Sequence, residues 1–97
     1  MSVLDNVLAE EYERMQRIRQ AMQKELEELP QGYISKKKIK GNVYFYLQWR
    51  SGSKVLSKYV HPENLVEIEQ KIKRRKELLK SINEIDKSLV KIKKVVK

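Results

Sequence analysis

Cysteine is absent from the chain, which rules out disulfide bonds, thiolate chemistry and any cysteine-based zinc site. Histidine occurs once, as His61, and one imidazole among helix-surface glutamates is poor material for a metal centre. It reads as a capping or surface residue beside Pro62 rather than as a base. The sequence has no Gly-rich phosphate loop, no nucleophile elbow and no paired-His motif. Glu10, Glu11 and Glu13 read as a solvated helix face. No catalytic residue, cofactor, metal or small-molecule substrate is therefore expected. Long apolar runs are also missing: none approaches the roughly 20 residues that span a bilayer. Met1 to Glu13 lack the basic start and apolar core of a secretory signal. A soluble, cytoplasmic protein without a membrane partner is expected.

Glycine and proline are scarce, at three and two residues in 97, so long uninterrupted helices are expected. The most informative scarcity is local. Residues 31–60 hold seven bases and no acid, whereas residues 1–30 hold seven acids and four bases, and residues 61–97 hold eleven bases and six acids. Most of the net charge of +9 thus lies in the middle third, which favours a polyanionic partner.

Residues 3–29 read as a helix. Ser2 is a candidate N-cap with Asp5 three residues on. Val3, Val7, Leu8, Met15, Ile18, Met22, Leu26 and Leu29 recur mostly at spacings of three and four and form one stripe. Glu10–Arg14 and Glu13–Arg17 are i,i+4 pairs in the favourable order. Pro30 and Gly32 end the helix.

Residues 33–60 change period. Val43 to Trp49 are aromatic and β-branched, with turn signals at Lys40-Gly41-Asn42 and Ser51-Gly52-Ser53 on either side. Three adjacent strands on such short loops form an antiparallel meander. In the central strand Val43, Phe45, Leu47 and Trp49 share the better core face. Tyr44, Tyr46, Gln48 and Arg50 share the other, with Val55, Ser57 and Tyr59 of the next strand.

Residues 62–96 read as a second long helix, with Pro62 and Glu63 suited to its start. Leu65, Ile68, Ile72 and Leu79 mark a stripe, and Leu78, Ile82, Ile85, Leu89, Ile92 and Val96 continue as a coiled-coil seam. The seam shifts by one residue at Leu78–Leu79.

The expected fold class is α+β, a single domain over residues 1–97: long helix, three-stranded meander, long helix. The helices are expected to pair as an antiparallel coiled-coil hairpin capped by the sheet, placing Met22 near Ile72 and Met15 and Ile18 near Leu78 and Leu79. A hairpin of two helices leaves much of each stripe in water. A homodimer through the helices is therefore expected.

The candidate site is the meander. Lys36, Lys37, Lys38, Lys40, Arg50, Lys54 and Lys58 are candidate phosphate contacts, because lysines that neutralise phosphates release counterions. Tyr44, Tyr46 and Gln48 are candidate base contacts, from a strand in the major groove or by stacking on unpaired bases. Arg74 and Arg75 either extend this footprint or pair with Glu25, Glu27 and Glu28. The plainer reading of the lysines is a charged edge that prevents strand-to-strand aggregation. Nucleic-acid binding requires the cations and phenols to share one accessible surface.

The stretch Leu29-Pro30-Gln31-Gly32-Tyr33, the strand Tyr44-Phe45-Tyr46-Leu47-Gln48-Trp49-Arg50, then Gly52-Ser53-Lys54 and Ser57-Lys58-Tyr59-Val60, resembles a family of small uncharacterised bacterial proteins. Its pattern is Leu-Pro-x-Gly, a Tyr-rich strand, Gly-x-Lys and Ser-x-Tyr-Val ahead of a charged helix, and it imports no activity. Locally, the order of Gly-x-Ile, aromatic strand and Gly-x-Lys is similar to the arm-binding domains of tyrosine integrases, which read DNA with a three-stranded sheet. The very long final helix departs from those domains. The expected function is non-enzymatic binding of a nucleic acid, with DNA ahead of RNA as the polymer. The alternative is a structural or protein-interaction module that assembles through its coiled coil.

Overall fold

A computed structural model of the chain describes residues 3–95, with side chains from residue 6 onward. The expected Ser2–Asp5 cap and the seam residue Val96 lie outside the described side chains. Helix α1 (Val3–Glu28) leads into strands β1 (Tyr33–Ile39), β2 (Asn42–Ser51) and β3 (Lys54–Val60). A 3-10 turn (Pro62–Asn64) and helix α2 (Leu65–Val95) follow. The order is that of the α+β expectation. Helix α1 stops at Glu28 rather than Leu29, since the residue before a proline is sterically pushed out of helical geometry. Pro62 starts a 3-10 turn in which the Asn64 N–H donates to the His61 carbonyl at 2.9 Å. The α-helix proper therefore begins three residues later than expected.

The chain divides into two compact units, one of Leu29–Arg75 and one of Met1–Glu28 with Lys76–Lys97. Helix α2 contributes its first turns to the sheet unit and the rest to the helical unit.

In the sheet unit the strands lie in the order β1-β2-β3, both pairs antiparallel. Lys40 and Gly41 close the first hairpin with φ of 50° and 83°. Positive φ at both central positions is what a two-residue I′ turn requires, and its twist matches that of the strands. Gly32, with φ of 111°, has a different task. A Cβ there would lie 2.0 Å from the Gln48 carbonyl oxygen and 3.0 Å from Trp49 Cβ. The chain can enter β1 against the β2 backbone only because this residue has no side chain.

The register sets which residues share a face. Ile34, Lys36 and Lys38 lie across from Leu47, Phe45 and Val43. Val60, Lys58 and Leu56 lie across from Phe45, Leu47 and Trp49. Leu47, Val60 and Ile72 are the buried centre of this face, with Ile34, Phe45, Trp49, Leu65 and Ile68 packed around them. The start of α2 thus covers the Leu47 face. Burying an aliphatic side chain contributes about 1.5–3 kcal/mol, so a core with three buried members tolerates little disturbance.

In the helical unit Leu26, Leu78 and Ile82 are buried, while Leu8, Met15, Ile18, Met22, Ile85, Leu89 and Ile92 are half-buried. Leu79 does not join the stripe: it is 47 % exposed, against 1 % for Leu78. The stripe on α2 runs from Ile72 through half-buried Arg75 to Leu78 in two steps of three. Leu79 lies about 100° further round the helix. Val7 is likewise exposed.

An ion pair joins the helices of this unit: Arg19 donates from Nε to Asp86 Oδ1 at 2.5 Å and from Nη2 to Oδ2 at 3.3 Å. The hydrogen bond and the carboxylate charge hold the Arg19 guanidinium above its ordinary pKa. The pair corrects the expected register, because Asp86 lies about two turns beyond the Leu78–Leu79 site expected beside Ile18. The sheet supplies the reason. It takes Leu65, Ile68 and Ile72 for its own core, so the residues of α2 left for α1 begin near Lys76. Arg14 turns to Glu11 rather than to Glu10, donating two hydrogen bonds. That hydrogen bonding, with the guanidinium charge, holds the Glu11 carboxyl below its ordinary value.

Gly32→Ala tests the close approach at the entry to β1. It should lower unfolding stability by about 2 kcal/mol or more, read as a shifted denaturation midpoint with an unchanged slope. An unchanged midpoint would contradict the packing described at Gln48.

Candidate functional site

Twelve residues follow from the sequence as a candidate surface, and pleat parity divides them. Successive side chains of a strand point to opposite faces. Lys37 lies across from Tyr44, so it shares a face with Tyr44, Tyr46, Gln48 and Arg50. Lys36, Lys38 and Lys58 lie across from Phe45, Val43 and Leu47, and Lys54 lies across from Ser51. These four stand on the Leu47 face. Lys40 sits in the I′ turn. Arg74 and Arg75 lie on α2, the helix that covers the Leu47 face, and each already takes part in an interaction within the chain. The expectation of a single basic surface is therefore corrected. The twelve-residue footprint thus fails the requirement of one shared surface, and only the smaller set of Lys37, Tyr44, Tyr46, Gln48 and Arg50 meets it. On β1 the alternation of Lys36, Lys37 and Lys38 between faces is the pattern of a charged free edge.

What the sheet does assemble is an aromatic row on the face opposite the core. Tyr59, across from Tyr46, is its hub. Its ring centroid lies 5.8 Å from Tyr46 in an edge-on arrangement and 6.3 Å from Tyr44 at an interplanar angle of 60°. His61 continues the row at 5.0 Å from Tyr59, again edge to face. Such tilted contacts bring the positive edge of one ring to the negative face of the next. Lys37 closes the other end, with Nζ 5.0 Å from the Tyr46 ring centroid, a cation–π distance. Tyr44, Tyr46 and Gln48 are half-buried by these neighbours, while Tyr59, Lys37 and Arg50 are exposed. His61 makes no side-chain capping bond; its role here is that ring contact.

Tyr59 and His61 were not among the candidate site residues. Pleat parity alone puts Tyr59 on this face, and the directly opposed pair Tyr46–Tyr59 could be found by counting across the Gly52-Ser53 turn. The position of His61 depends on how the chain leaves β3, which no local pattern encodes.

A hollow of about 390 Å³ in the sheet unit is lined by Leu47, Val60 and Ile68 of the core side and reaches Tyr59 and His61 at the end of the aromatic row, with Lys58 and Lys71 among its polar residues. Lys71 is paired with Glu67 at 3.1 Å. Among the described residues no group of three His, Cys, Asp or Glu is arranged to hold a metal ion. No described helix is long and apolar enough to cross a membrane.

The family model of a domain of unknown function, DUF6788, matches residues 8–70. That span contains α1 from Leu8, the whole meander and the start of α2. No curated protein and no solved structure matches the chain, so the likeness to integrase arm-binding domains finds nothing there to rest on.

Proposed function

The chain belongs to the DUF6788 family, and from that premise, which supplies relatives but no activity, we propose that it is a non-enzymatic nucleic-acid-binding protein whose interface is the tyrosine face of its sheet. The observation that carries the reading is the gathering of Tyr44, Tyr46 and Tyr59 with Lys37 and Arg50 on the face that α2 leaves uncovered in the sheet unit. Phenol rings offer stacking surfaces and hydroxyls. Lysine and arginine neutralise phosphates, and Gln48 can hydrogen-bond a base edge. The absence of any acid between residues 31 and 60 removes the repulsion that a phosphate backbone would otherwise meet. In this reading Lys36, Lys38, Lys54 and Lys58 act through the general positive field and by guarding the sheet edges, not as contacts.

A salt series with mixed-sequence single-stranded and duplex DNA tests the assignment. Affinity should fall with salt, and Lys37→Ala or Arg50→Ala should each flatten the log–log slope by about 0.7–0.9. Lys36→Ala and Lys38→Ala should change it less. Equal effects from both sets would remove the face assignment, and no binding even at low salt would remove the function.

A second reading rests on the helical unit. Ile85, Leu89 and Ile92 are only half-buried within one chain, although their spacing is that of a coiled-coil seam. The Arg19–Asp86 pair, together with a hollow lined by Ala9, Tyr12, Glu13 and Lys93, supports an antiparallel α1–α2 hairpin. A second copy would complete its seam as a four-helix arrangement. Light scattering on a gel-filtered sample should return twice the mass of 11.6 kDa. A clean monomer at micromolar concentration would exclude the dimer. The two readings are compatible, since they use different units of the chain.

A further inference from the structure

Resting on the nucleic-acid reading, we infer that the bound polymer is single-stranded and is held by stacking of unpaired bases on Tyr44, Tyr46 and Tyr59. A duplex is held largely through the phosphates of both its backbones, so a sheet lying in a groove needs cations on both flanks of the inserted face. Of the seven bases in the meander, only Lys37 and Arg50 stand on this face, while Lys36, Lys38, Lys54 and Lys58 stand on the other. Duplex readout also needs side chains that match the donor and acceptor pattern of base edges. The side chains of that type on this face, Ser35, Gln48, Arg50 and Ser57, are interleaved with the rings of Tyr44, Tyr46 and Tyr59, so they form no continuous reading row.

The rings suit a different ligand. Tyr59 is 41 % exposed and stands between Tyr44 and Tyr46, with His61 extending the row. Every base has a π-face, so such a row accepts successive unpaired bases with little regard to sequence. Lys37 is placed to serve both halves of a nucleotide. Its ammonium lies over the Tyr46 ring, and its flexible four-carbon stem lets it swing from the ring to a phosphate when a base arrives. Charge complementarity is met without crowding, because no carboxylate occurs anywhere in residues 31–60.

Fluorescence anisotropy of a labelled oligothymidine of about ten nucleotides, against a duplex of equal length at low salt, tests the inference. The single strand should bind roughly ten-fold more tightly or better, and Tyr59→Leu or Tyr44→Leu should each lose roughly ten-fold. The double variant Tyr44→Phe, Tyr59→Phe keeps the rings and should keep the affinity, which a role for the hydroxyls in reading base edges would not allow. Unchanged thermal unfolding in the leucine variants shows that the loss belongs to binding. Duplex bound as tightly as single strand, with both leucine variants harmless and Lys37→Ala damaging, would overturn stacking while leaving the nucleic-acid function standing. Binding of neither polymer would overturn both. Oligouridine bound more tightly than oligothymidine would uphold stacking and make RNA the strand.

Discussion

Leu47 faces the start of α2, and the parity of β2 decides everything else on the sheet. With Leu47 inward, Tyr44, Tyr46, Gln48 and Arg50 must face the other way, and each residue of β1 and β3 takes the side of its partner across the ladder. A slip of one residue would exchange the two faces. Three backbone devices hold the register against such a slip. Gly32 admits β1 alongside Gln48 and Trp49, Lys40-Gly41 makes the first tight turn, and Gly52 sits in the second with a positive φ. The small apolar cluster around Leu47, Val60 and Ile72 supplies the energetic preference, because turning it outward would expose its buried side chains to water. The tyrosine row is thus a by-product of burying the leucine.

Helix α2 serves two masters, and its sequence records this. Its first turns present Leu65, Ile68 and Ile72 to the sheet. Beyond Arg75 the chain belongs to the helical unit, where Leu78 and Ile82 are buried. The irregular step in the apolar stripe falls at the place where one unit hands over to the other. Arg75, a charged residue in line with the stripe, sits at that handover. The acidic character of α1 and the basic character of the meander also follow this division of labour, with Arg19–Asp86 as the contact that ties α1 to the later part of α2.

Much of this is legible in the sequence alone. Glycine, proline and aromatic spacing located the strands to within one or two residues, because two-residue turns and period-two strands leave few alternatives. The α1 boundary moved by one residue, for the local reason that Pro30 follows Leu29. The assignment of Leu79 and the helix register failed for a tertiary reason: helical periodicity says which residues share a stripe, not which neighbour takes each part of it. The candidate surface was half legible. Its chemistry was visible in the acid-free stretch, but treating ten meander residues as one footprint ignored the alternation that separates Lys36 and Lys38 from Lys37. Tyr59 could have been added from parity, whereas the His61 ring contact depends on the path out of β3.

The central claim is that the face bearing Tyr44, Tyr46 and Tyr59 meets the ligand and the face bearing Leu47 does not. Backbone and ring NMR shifts recorded during titration with a single-stranded oligonucleotide address it most directly. The account predicts perturbations centred on the rings of Tyr44, Tyr46 and Tyr59 and on the side-chain amide of Gln48, with the side chains of Ile34, Leu47 and Trp49 nearly still. Perturbations centred instead on Lys36, Lys38 and Lys58, or spread evenly along α2, would contradict it.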